Sequence, residues 1–302
     1  MPYPLSRRAL LLAAAAARAQ EATFTTGVRV VNVPATVRDK HGTIIANLTK
    51  DDFVLTEQGR PQTIQYFAQQ GDLPLSIGLL IDTSMSQEDV LAAERSASLR
   101  FLDEMLRIDR DKAFVLQFDS RVLIKQTLTN VYNQLESALS EVDTPSRSEL
   151  RRGIGGGGTV LFDAIDTAAR FLLKDVTGRK AVIVLTDGVD YGSSSTLAEA
   201  IDSAQKNDTI VYSVLFTGRN GGYGRGVLAR LSKETGGALF EVSKRLPIGQ
   251  IYALIQAELR SQYSLGYVSD TPVQLSEFRR IQLAVKQKGL TVQARDRYWA
   301  RP

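Results

Sequence analysis

Five side chains in three separated stretches have the types and spacing to hold a metal ion. Asp82, Ser84 and Ser86 close the run L-S-I-G-L-L-I-D-T-S-M-S at residues 75–86. Thr159 follows four glycines in G-G-G-G-T-V-L-F-D-A at 155–164, and Asp187 ends the apolar run A-V-I-V-L-T in A-V-I-V-L-T-D-G-V-D at 181–190. All five are oxygen donors, with no His or Cys among them. Hard oxygen ligands suit Mg²⁺, Mn²⁺ or Ca²⁺ rather than zinc. Each residue also has a plain structural reading. Ser86 with Asp89 three positions on fits a helix N-cap, and so does Thr159. The glycines could form only a flexible loop, and Asp187-Gly188 a simple turn. Their joint occurrence, each at a strand end or a helix start, favours the metal.

Other chemistries lack their parts. The chain has no cysteine and one histidine, His41, which excludes disulfides, thiolate sites and any site needing two imidazoles. A serine hydrolase needs a base beside its nucleophile, and His41 falls in an exposed turn, Asp39–Gly42, of a different part of the chain. A haloacid-dehalogenase-like phosphatase needs a second acid two residues after Asp82, where Ser84 stands. D-T-S is also the sequence of an aspartic-protease loop, but those enzymes need two such loops, and T-D-G reverses the order.

The elements that must position these residues follow from periodicity. Apolar runs at 75–81, 113–118, 181–185 and 210–216 read as strands buried on both faces. Between them, 3–4 spacing at Val90, Ala93, Ala97, Phe101 and Met105, and again from Phe162 to Val176, predicts helices, with others at 130–142, 196–207 and 227–235. Residues 114–127 read as two strands joined at Asp119-Ser120, giving one antiparallel edge strand. The fold class is therefore α/β, a doubly wound, mostly parallel sheet with helices on both faces. In such a sheet sites form at the carboxyl ends of strands, which brings Asp82 and Asp187 to one edge. Period-two alternation at Val31, Val33, Ala35 and Val37 predicts a β-rich segment from about Phe24 to Gln70, with a turn at Gly59-Arg60-Pro61. A helix at 247–262 precedes further strands at 263–268, 278–286 and 290–299. Lone strands there would expose their edges, so they are expected to pair with the amino-terminal ones.

The 302 residues suffice for one large domain and a smaller companion. The chain has 37 basic and 33 acidic residues, but Arg7, Arg8 and Arg18 lie in its first 19 positions; without them the net charge is +1. That is no basis for a nucleic-acid partner. Ser6-Arg7-Arg8, the short apolar run from Ala9 and Ala17-Arg18-Ala19 have the parts of an export signal. The paired arginines are similar to a twin-arginine (Tat) signal, with an ordinary Sec signal as the alternative. The run is about half of the ~20 residues a spanning helix needs, so no stable transmembrane anchor is expected.

D-T-S-M-S at 82–86, G-G-T at 157–159 and T-D-G at 186–188 resemble the metal-ion-dependent adhesion site of von Willebrand factor type A (VWA) domains. The resemblance covers about Leu73 to Ser243. The flanks resemble exported bacterial VWA-related proteins, through Val37-Arg38-Asp39, Leu48–Phe53 and Tyr263–Tyr267. It implies that Ser84, Ser86 and Thr159 hold Mg²⁺ through their hydroxyls, directly or through water, and that Asp82 and Asp187 act mostly through bound waters. An acidic group of a protein or other partner then completes the octahedron. The implied division is a signal at 1–19, a β-rich segment at 20–71, a VWA domain at 72–246, and a helix with strands at 247–302. The expectation is an exported, periplasmic or secreted, non-enzymatic binding protein. An envelope scaffold with an incidental metal site and a Mg²⁺-dependent hydrolase are the alternatives.

Overall fold

The computed structural model describes residues 30–69, 73–107, 109–146, 148, 157–216 and 224–301. The stretch read as an export signal, and Gly155 and Gly156 of the glycine run, lie outside them.

Alternation produces β1 (Val30–Arg38), with Val31, Val33, Ala35 and Val37 buried. Three short strands follow: β2 (Phe53–Glu57), β3 (Arg60–Gln62) and β4 (Tyr66–Gln69). The turn expected at Gly59-Arg60-Pro61 sits one residue earlier. Gln58 and Gly59 both have positive φ, 49° and 79°, and Arg60 already pairs with Glu57. Pro61 is tolerated in β3 because β3 is an edge strand, where a missing N–H breaks no ladder.

The rhythm then changes to β5 (Leu75–Asp82), α1 (Leu91–Met105), β6 (Lys112–Phe118), β7 (Val122–Thr129), α2 (Tyr132–Ser140), α3 (Leu161–Thr167), β8 (Arg179–Thr186), α4 (Leu197–Lys206), β9 (Thr209–Leu215), α5 (Arg225–Thr235) and β10 (Leu239–Glu241). These strands form one six-stranded sheet in the order β10-β9-β8-β5-β6-β7. All neighbours are parallel except β6 and β7, the expected antiparallel edge. The continuous apolar runs have the expected cause: every residue of β5, β8 and β9 is buried. Alternate residues of each strand feed two cores, one per sheet face. Ile77, Leu79 and Ile81 join α1 and α2 on one side, and Leu80, Val182 and Val184 join α3, α4 and α5 on the other. α4 starts on a capping box, Thr196 accepting from the Glu199 N–H and Glu199 accepting from Thr196. β10 is an addition that the sequence pattern did not indicate. The helical pattern expected from Phe162 to Val176 ends earlier, α3 running into a π-helical turn, Ala168–Leu172.

α6 (Ile248–Ser261) leads to β11 (Tyr263–Val268), β12 (Glu277–Val285), β13 (Thr291–Ala294) and β14 (Arg297–Ala300). The strand expected at 290–299 is thus two strands, in different sheets. β13-β1-β11-β4 form one four-stranded sheet and β14-β12-β2-β3 another. β1 pairs with β11, and β2 with β12, all antiparallel, so both ends of the chain share both sheets. A third core joins them, including Val33, Phe53, Leu265, Tyr267 and Ile281. α6 packs elsewhere: Ile251, Ile255 and Leu259 enter the core under α1, where Tyr252 stacks on Phe101 at 4.4 Å.

Candidate metal centre

Asp82 ends β5, fully buried. Its Oδ2 accepts from the Thr186 hydroxyl at 2.6 Å and its Oδ1 from the Ser84 N–H at 2.9 Å. Because β5 and β8 are adjacent and parallel, with Ile81 opposite Leu185, Asp82 and Thr186-Asp187 emerge at the same sheet edge. Burial is the main force on the Asp82 carboxyl and, with the charge of Asp187, pushes its pKa up to about 6 against the hydrogen bonds from Thr186 and Ser84. A cation at this edge favours the ionised form.

Ser84 caps a 3₁₀ turn, Met85–Gln87, whose middle residue is Ser86, and the turn sets the two hydroxyl oxygens 3.0 Å apart. Gln87 Nε2 donates to the Ser86 hydroxyl at 3.3 Å. α1 begins at Leu91 with Val90 as its N-cap, so Ser86 does not cap it. Nor does Thr159 cap α3, whose N-cap is Val160. Thr159 instead exchanges both backbone hydrogen bonds with Tyr191, each 2.9 Å, and the Val160 N–H donates to the Asp119 carbonyl beyond β6. That bridge ties Thr159 to the segment after Asp187. A Cβ on Gly158 would stand 2.6 Å from the Tyr191 carbonyl, so glycine permits the approach.

Asp187 is half-buried, and its Oδ1 accepts from the Val189 N–H at 3.0 Å. Gly188 turns with φ 78° while its N–H donates to the Thr186 hydroxyl. The start of α5 presses on this turn: a Cβ on Gly224 would meet the Asp187 carbonyl at 2.3 Å. No hydrogen bond links the side chain of Thr159 or Asp187 to the serines; they share the edge through the Tyr191 bridge and Thr186. Among the described residues no three His, Cys, Asp or Glu side chains converge to hold a metal. A cation at this edge would depend on hydroxyls as well as carboxylates, a donor set that fits a hard ion.

Sequence reasoning missed two side chains. Thr186, which holds both Asp82 and the Gly188 turn, was visible as the first letter of T-D-G. Glu94 had no local signal: it lies on α1, fully buried, with neither carboxyl oxygen hydrogen-bonded. Burial, with the charge of Asp82, holds its pKa well above the usual carboxylate range.

Solved structures give the same fold at low identity. Proximal thread matrix protein 1 from the mussel byssus, with a zinc-occupied MIDAS motif, is 17% identical with a TM-score of 0.53, over 68% of this chain and 50% of that one. This chain thus spans about half of the mussel protein. The conserved hypothetical protein BatB from Bacteroides thetaiotaomicron is 19% identical, TM-score 0.50, over 61% and 97%. A von Willebrand factor type A protein from Catenulispora acidiphila is 13% identical, TM-score 0.51, over 92% and 75%. No curated protein matches the chain. The family model of the von Willebrand factor type A domain matches residues 76–253, more than half of the 302. The chain belongs to the von Willebrand factor type A domain family.

Proposed function

We propose that the protein is an exported binding protein that captures an acidic group of a partner through a divalent cation held by Asp82, Ser84, Ser86, Thr159 and Asp187. The observation that carries this reading is the pair of serine hydroxyls 3.0 Å apart beside buried Asp82, with Asp187 on the same edge. The hydroxyls of Ser84, Ser86 and Thr159 would hold the ion, and the two aspartates would orient its waters. The ion supplies Lewis acidity toward a partner's carboxylate. The chain's own residues do the rest: Thr186 fixes the Asp82 carboxylate, the 3₁₀ turn fixes the two serines, and the Tyr191 bridge fixes Thr159. Mg²⁺ is the proposed ion, with Mn²⁺ or Ca²⁺ as substitutes. The zinc in the mussel protein's motif makes Zn²⁺ a necessary comparison. No helix among the described residues is long and apolar enough to cross a membrane; export rests on residues 1–19 of the sequence.

Titration calorimetry with Mg²⁺, Mn²⁺ and Zn²⁺ tests the site. One binding event in the wild type, lost in Ser84→Ala and Asp187→Ala, is expected; identical behaviour of all three proteins sinks the reading. Capture of an envelope partner is then compared with and without EDTA, and with Asp82→Ala.

A further inference from the structure

The opposite edge of the six-stranded sheet carries a second polar site. At the amino-terminal starts of β8 and β9, where the α/β part meets the antiparallel sheets, lies a chamber of about 40 Å³. Its walls include Arg179 and Lys180 of β8, Gln205 of α4, Gln262 before β11, and Arg295 between β13 and β14. Asn32, Lys180, Gln205, Asp208 and Arg295 also line an adjoining groove of about 530 Å³. The eight residues of β8 at ~3.3 Å each set the chamber roughly 25 Å from Asp187.

The chamber's hydrogen-bonding groups are incompletely used. Arg179 Nε, Arg295 Nε and Gln262 Nε2 are buried donors without partners, and Gln205 Oε1 and Gln262 Oε1 are buried acceptors without partners. Native proteins leave few such groups, and several on one cavity call for an occupant. The charges agree. Arg179 spends its other nitrogens on the carbonyls of Leu259 and Leu73, not on a carboxylate. Lys180, only 9% exposed, donates to the Lys174 carbonyl at 3.4 Å. Neither makes a salt bridge among the described residues. Burial holds both pKa values below their usual range, although Asp111 acts on Arg179, and Asp208 and Asp175 on Lys180, in the opposite sense. Arg295 is committed in part, donating to Asp208 at 2.6 Å and to the Asn32 carbonyl at 2.6 Å. Lys174, Lys206 and Arg301 add positive charge along the groove, against Asp175 and Asp208.

We propose that this chamber binds the carboxylate of a small organic acid, with the rest of the molecule lying in the groove toward Trp299. The volume holds a carboxylate or about three waters. Three N–H donors and the Lys180 ammonium match the roughly four lone-pair sites of one carboxylate. The two free amide oxygens suit a hydroxyl beside it, so a hydroxy acid fits better than phosphate, whose four oxygens call for more donors than the chamber supplies. Because the walls come from both parts of the chain, the ligand also fastens them together.

Trp299 is the single tryptophan of the chain and lines the groove under Lys206, whose Nζ lies 4.4 Å from its ring. Its fluorescence is a local reporter. Malate is the probe, titrated at constant ionic strength against inorganic phosphate and chloride. The expected result is a saturable change in emission and a rise in Tm with malate. Lys180→Met should weaken it about 30-fold or more, the effect of removing one buried partner of a charge pair, with Mn²⁺ binding unchanged. If Lys180→Met does not fold, Gln205→Glu places a repelling charge in the same volume and should produce the same loss. A chamber that holds only water gives no saturable response, which overturns the proposal. Equal binding by the variant, or phosphate binding without malate binding, overturns it as well.

Discussion

Asp82 and Glu94 are buried carboxyls close enough for one charge to act on the other, yet they are held differently. Asp82 accepts from Thr186 and Ser84, whereas both Glu94 oxygens are bare. An unsatisfied buried polar group costs about 1–3 kcal/mol. Since the folded pKa of Glu94 lies above its unfolded value near ~4.3, the folded chain binds the extra proton. Its contribution is fully present below the unfolded value and is lost as pH rises toward the folded one, with a slope of at most about 1.4 kcal/mol per pH unit. Glu94→Gln removes that slope. Urea unfolding at pH 4 and pH 7 without divalent ions should therefore show the variant gaining on the wild type as pH rises. A constant difference would mean that Glu94 does not titrate in this window.

Turns, rather than strands, decide the metal edge. Residues 157 and 158 are chemically identical, but a Cβ on Gly157 meets nothing within 4 Å, whereas one on Gly158 meets the Tyr191 carbonyl. Gly158→Ala should cost about 1–3 kcal/mol and weaken Mn²⁺ binding by moving Thr159, while Gly157→Ala should leave both nearly unchanged. Melting curves with paired Mn²⁺ titrations check this, and equal effects would detach the bridge from the site. The contrast shows what was legible. Buried runs at 75–81 and 181–185 announced parallel strands and put Asp82 and Asp187 on one edge. Hydroxyl spacing at 84 and 86 announced a turn. Which glycine carries the packing depends on Tyr191, thirty-odd residues on, and no local pattern encodes that. Glu94 escaped notice for the same reason, since its burial comes from tertiary packing of α1. Likewise the split of 290–299 into β13 and β14 is decided by which sheet each half joins.

At the scale of the molecule, two antiparallel sheets are each closed by strands from opposite chain ends, and α6 runs between them and the α/β core. Sequence pattern alone groups that helix with the strands after it, at 247–302. Its apolar stripe, however, fills the α/β core against Phe101, and on the side facing the antiparallel sheets the buried Glu258 pairs with Arg38 of β1. We propose that the independent unit runs through the end of α6, about residues 73–262, rather than ending near 246. Ending there removes Ile251, Tyr252, Ile255 and Leu259 from a packed core, where truncation of even one large apolar side chain costs about 2–5 kcal/mol. A 73–262 fragment should unfold cooperatively, and a 72–246 fragment should be much less stable or lack a cooperative transition. Residues 20–71 should not fold alone, because β1 and β2 leave their hydrogen-bonding edges to β11 and β12. The measurement is denaturant unfolding of all three fragments followed by circular dichroism. Equal stability of the two longer ones would place α6 with the strands, and a cooperative 20–71 transition would refute the shared sheets as the basis of its fold.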